Sequence, residues 1–144
     1  FTVAHTITLG LSTAGILDLP DNIVEPLIAL SIAYVGIENI WHKKLVNSRL
    51  VLVFAFGLLH GLGFASVLSD FGMPKEDFAI ALISFNIGVE FGQLAVIAGA
   101  WLLTGLWFRN KPWYRQAVVI PASLAISVVA LYWFWDRLEW PLVV

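Results

Sequence analysis

No cysteine occurs anywhere in this 144-residue chain, and methionine occurs once. The first absence excludes a disulfide framework, a thiolate metal centre and a cysteine nucleophile. The second leaves copper(I), which favours soft sulfur ligands, without an evident site. Charge is scarce as well: Asp, Glu, Lys and Arg make up 12% of the residues, where a soluble domain carries about a quarter. The formal net charge of −2 conceals no basic patch of the kind that tracks a phosphate backbone, so no nucleic-acid partner is expected. What fills the space is hydrophobic, 60% of the residues, with seven tryptophans. That composition makes the lipid bilayer the chain's first partner and an all-α, polytopic transmembrane helix bundle its expected fold.

Hydropathy and turn signals divide the sequence into five expected spans within a single transmembrane domain, at about 1–17, 23–41, 50–69, 78–107 and 117–135. Asp18-Leu19-Pro20-Asp21-Asn22 reads as a turn into a helix N-terminus, and the segment 69–77 as the most loop-like part of the chain. The short polar link 42–49 predicts that spans two and three form an antiparallel hairpin. Lys43, Lys44 and Arg49 fall in that link and Arg109, Lys111 and Arg115 in the link 109–115, so both links are expected on the cytoplasmic side of a multi-pass protein. Most of the tryptophans, Trp140 among them, fall near span ends, where an amphipathic ring suits the headgroup level. The chain opens on Phe1 inside an apolar segment without a signal-peptide pattern, which leads us to expect an N-terminally incomplete piece whose site draws ligands from an upstream helix.

Polar groups inside the spans are few. An ionised side chain at a span centre costs about 2.5–3.5 kcal/mol on insertion scales, so each one needs a partner, a proton or a function. His60 stands in the middle of Phe54–Ser66, about halfway across. Asn86, Glu90 and Gln93 follow the i, i+4, i+7 rhythm of one helix face. Two antiparallel spans would bring His60 level with Asn86, Glu90 or Gln93. The spacings Gly57/Gly61 and Gly88/Gly92 would let neighbouring backbones approach at both places. His5, on a face with Thr8 and Ser12, is expected near the cytoplasmic end of span one. Glu38, followed by Asn39, is expected at a similar depth in span two, where its carboxylate snorkels to water or pairs with Lys43. Imidazole nitrogen with carboxylate and amide oxygen suits nickel(II), cobalt(II) or zinc(II) better than an alkali ion, although a hydrogen-bonded imidazole–carboxylate pair is also a stable structural unit. The fifth span, with only Ser123 and Ser127 as polar groups and Pro121 near its start, reads as scaffold.

Four short blocks in order, Phe1–Leu9, Glu38-Asn39, Phe56–Ala65 and Phe85–Leu94, resemble the HupE/UreJ family of bacterial integral membrane proteins over about residues 1–97. The resemblance implies a bacterial inner-membrane protein that handles nickel or cobalt as a transported substrate, with zinc the further candidate, and no resident cofactor. It points to His5, Glu38, His60 and Glu90 as metal residues, with Asn39, Asn86 and Gln93 as supporting polar groups. Family members carry a preceding helix with a His-x-x-x-Gly-x-Asp-His signature that has no counterpart in these residues.

Two rival readings stand beside metal transport. The polar groups serve equally to glue helices in an accessory subunit of a larger membrane complex, or in a homo-oligomer. A membrane-embedded hydrolase using a metal-activated water is chemically allowed, but no residue pattern demands it, and no catalytic residue is assigned.

Overall fold

The computed structural model describes residues 1–17, 19–42, 49–70 and 78–139. The expected turn at Asp18, the lysines of the 43–48 link, the loop at 71–77 and Trp140 lie outside the described residues. Within them the chain is helical and contains no strand. Five helices follow one another. They are α1 (Thr2–Thr13), α2 (Asp21–Trp41), α3 (Arg49–Asp70), α4 (Phe78–Ala100) and α5 (Ile120–Glu139). α4 runs on through a π-helical turn, Trp101–Gly105, into a last turn, Leu106–Phe108, while α5 is preceded by a π turn, Arg115–Val119.

Among the described residues three stretches, Asp21–Trp41, Ala79–Phe108 and Arg115–Leu138, are long and apolar enough to cross a membrane, and Arg49–Ala65 is a shorter apolar stretch. α1 differs from the expected 1–17. Gly15 takes a left-handed backbone with φ of 72°, and its N–H bonds the Ser12 carbonyl while that of Ile16 bonds Leu11. This paired closure stops the helix although the apolar run continues to Leu17. Twelve residues of helix rise about 18 Å, short of the ~30 Å hydrocarbon core.

The π turn ahead of α5 has a local cause. Pro121 has no N–H to give to residue 117 and its ring crowds that carbonyl, so the preceding turn widens. Where the chain turns back between α4 and α5, the Thr104 and Tyr114 hydroxyls meet at 3.0 Å.

The large side chains face outward. Leu103 is 76% exposed, Val96 73% and Phe91 69%, whereas the buried apolar residues are mostly alanines, including Ala4, Ala29, Ala33, Ala65 and Ala130. In water this surface would be untenable. In lipid it is the expected arrangement, because tails solvate Leu and Phe while small residues let backbones touch. α2 and α5 form the broadest such contact. A Cβ on Gly36 would meet the Ser127 hydroxyl and the Ser123 carbonyl. Ser127 donates to Ser123 O at 2.8 Å, so its polar atom is satisfied inside the seam.

The predicted hairpin is present. α2 and α3 run antiparallel, with Asn39 beside Arg49 and Tyr34 against Phe56. α5 is antiparallel to α2, so Arg115 reaches the C-terminal end of α2 and Arg137 reaches Glu25 near its start. Arg49 and Arg115 therefore meet at one end of the bundle. At the other end Glu25 and Arg137, at 2.9 Å, share a cavity of about 350 Å³ with Asp21, Asn22 and Asp136.

Candidate functional site

Glycines on α3 decide where α1 sits. A Cβ on Gly57 would lie 2.6 Å from the Phe1 carbonyl and 2.9 Å from the Ala4 Cβ, and one on Gly61 would overlap the His5 carbonyl and the Thr8 hydroxyl. Thr8 donates across the contact to the Leu58 carbonyl at 2.6 Å. These contacts run in parallel register, which sets Phe1 level with Gly57 and His5 level with Gly61.

The opposite side of α1 meets α4 in antiparallel register. The Thr2 hydroxyl donates to Glu90 Oε2 at 2.5 Å, Thr6 donates to Asn86 Oδ1 at 2.8 Å, and Gly10 faces Leu82. His5, wholly buried, reaches the same amide oxygen through Nδ1 at 3.0 Å. Asn86 gives its Nδ2 to the Leu82 carbonyl at 2.8 Å, so Oδ1 is an acceptor and the His5 Nδ1–H is the donor. His60 is held in the same sense, its Nδ1–H donating to the Phe56 carbonyl at 2.8 Å. In the neutral ring each of these bonds leaves the Nε2 lone pair free of its partner. The Phe1 ring packs on both imidazoles, at 5.8 Å from His5 and 5.4 Å from His60. Phe64 and Phe85 close over His5 at 5.8 and 6.2 Å.

A second polar group forms at the basic end. Arg49 bridges Asn39 Oδ1, at 2.8 Å, and Glu38 Oε2, at 3.8 Å. Arg115 donates to the carbonyls of Asn39 and Ile40 at 3.2 and 3.0 Å, capping the C-terminal end of α2 where the helix dipole favours a cation. Glu38 is buried, and among the described residues its Oε2 has no hydrogen-bond partner. A cavity of about 280 Å³ runs between α2, α3 and α5, from Asn39 past Val53 and Phe56 to His60, with Ser31 and Ser123 in its wall.

Several expectations change. His60 does not pair with Asn86, Glu90 or Gln93, because α1 comes between: His5 takes Asn86, Thr2 takes Glu90, and Gln93 joins none of these bonds. His5 is not at the depth of Glu38. It lies level with Gly61, twelve residues up α3 from the Arg49 that holds Glu38, which is about 18 Å along the axis. Among the described residues the partner of Glu38 is Arg49, and Lys43 lies outside them. A methyl added at Gly88 or Gly92 would have nothing within 4 Å, so of the two glycine pairs only Gly57/Gly61 admits a helix. Among the described residues no three His, Asp or Glu side chains converge on a point that would hold an ion. The sequence reading overlooked Thr2 and Thr6, although their spacing with His5 places all three on one face, and treated Arg49 and Arg115 only as topology signals.

Small residues between helices, lipid-facing bulk outside and polar groups paired within define a polytopic helical membrane protein. Comparison with known families sharpens this. The sequence model of the family described as HupE / UreJ protein matches residues 1–137, so the chain belongs to the HupE/UreJ family, and the likeness extends to Arg137 in α5. Neither the curated proteins nor the solved structures gave a match to this chain.

Proposed function

We propose that the chain, as a single transmembrane domain of the bacterial inner membrane with its 42–49 and 109–115 links cytoplasmic, binds nickel or cobalt between its helices and carries it across. It does so without making or breaking covalent bonds, so it is a carrier and not an enzyme. One observation carries the reading. His5 and His60 stand at one level, about halfway along α3, each with Nδ1–H committed to an oxygen and Nε2 left with its lone pair. A histidine that ligates a metal nearly always gives its other N–H to such an oxygen, which fixes tautomer and ring orientation in advance. Glu90 lies one turn of α4 from Asn86, and its carboxylate, engaged here by the Thr2 hydroxyl, offsets the charge of the cation. Glu38, with Asn39, is the acceptor at the basic end. Zinc takes the same donors, so selectivity belongs to the test.

His60→Ala and His5→Ala should each abolish nickel and cobalt uptake in cells at unchanged protein level. Normal uptake in both variants would overturn the assignment. The accessory-subunit reading has its own support, since the His5–Asn86 and Thr2–Glu90 bonds already fasten α1 to α4 without an ion. A stable co-purifying subunit and a metal-free purified protein would favour it.

A further inference from the structure

The cavity between α2, α3 and α5 has an end whose chemistry opposes the ion it would serve. On α3, Arg49, Val53, Phe56 and His60 recur at i, i+4, i+7 and i+11, one continuous face. The last three line the cavity, and Arg49 continues their row beyond it. Asn39, which also lines the cavity, is gripped there by Arg49 through its side chain and by Arg115 through its backbone. Among the described residues two guanidinium groups and one carboxylate thus meet at this end, a local excess of positive charge. The carboxylate is only partly engaged among the described residues: Glu38 is 8% exposed, its Oε2 lacks a hydrogen bond, and Arg49 Nε stands at 3.8 Å, beyond the about 2.7–2.9 Å of a charge-assisted bond.

We propose that Arg49 is a tethered cation that closes the polar end of this cavity, standing at Glu38 and Asn39 where an incoming cation would stand. In the resting arrangement it neutralises Glu38 and repels free cations. A cation enters by taking over the Glu38 carboxylate and the Asn39 amide oxygen, and Arg49, whose side chain is about a quarter exposed, swings outward to water. Arg115 stays, because its bonds are to the backbone end of α2 and not to groups the ion needs. The identity of the entering ion rests on the metal-transport reading, whereas the closure itself does not.

The lack of native cysteine makes a clean test. In this 144-residue chain, Val53→Cys supplies a single thiol inside the cavity. Its modification is timed with a cationic trimethylammonium methanethiosulfonate and with a neutral methyl analogue. With Arg49 present the cationic reagent should react at least tenfold more slowly than the neutral one. Adding Arg49→Gln should remove that difference, and Arg49→Lys, which keeps the charge, should preserve it. Each variant is accepted only if monodisperse in detergent. Equal rates for both reagents with Arg49 in place, or an equal change for both on substitution, would overturn the proposal. Nickel uptake forms the second arm, expected to rise several-fold at low nickel in Arg49→Gln. Charge-selective labelling in a protein with no uptake would leave the gate standing and remove the metal reading; uptake without charge-selective labelling would remove the gate alone.

Discussion

Adding one methyl group at Gly61 should do more damage than removing most of the large side chains on the surface. In Gly61→Ala the new Cβ falls on the His5 carbonyl and the Thr8 hydroxyl. The hydroxyl can turn, but the carbonyl is part of helix backbone, so α1 has to move outward by about 1 Å to restore ordinary contact. Such overpacking costs about 1–3 kcal/mol, and stretching the Thr8–Leu58 bond adds about 0.5–1.5 kcal/mol. Together the loss is about 1.5–4.5 kcal/mol, directed at the contact that sets His5 level with His60. Gly88→Ala is the control, because nothing lies within 4 Å of the added methyl. Replacing a helical glycine by alanine there should be neutral or stabilising by up to about 1 kcal/mol. Reversible unfolding of both variants in mixed micelles, followed by tryptophan fluorescence, gives the comparison. Equal destabilisation of the two would refute the idea that α1 docks on α3 through Gly57 and Gly61.

Asn86→Leu deprives the buried His5 of its acceptor and should cost about 1–3 kcal/mol in the same unfolding assay, with nickel affinity falling as His5 loses its fixed tautomer. Gly36→Ala should destabilise the α2–α5 seam, and adding Ser127→Ala should recover part of the loss, since the clashing hydroxyl goes while the Ser123 carbonyl remains; no recovery would mean that the backbone contact dominates. Arg137→Gln breaks an ion pair whose members are 37% and 48% exposed, so the midpoint should shift by no more than about 1 kcal/mol of stability, and less at high salt.

Much of this architecture was legible before any coordinates, and the reasons are physical. Long apolar runs must be helices in lipid, so four of the five helices follow from hydropathy and turn residues. Charge asymmetry put Arg49 and Arg115 at one end, and both do meet α2 there. The end of α1 was hidden because the stop signal is a single left-handed glycine inside a run that stays apolar to Leu17. The partner of His60 was hidden because pairing two helices by depth ignores a third that slides between them. The two glycine pairs share one spacing, yet only Gly57/Gly61 is used; spacing says that a backbone can come close, and the neighbour decides whether one does.

The preference for alanine, serine and glycine at the helix seams turns the usual rule of mutational tolerance inside out. In a water-soluble domain, shaving a leucine to alanine leaves a hole, while swapping surface residues passes unnoticed. Here the bulky residues float in solvent of their own kind, so trading Leu103 for Phe or Val should be silent, and the sequence is free to drift there. The residues with least freedom are the smallest ones, where a single extra carbon pushes two backbones apart.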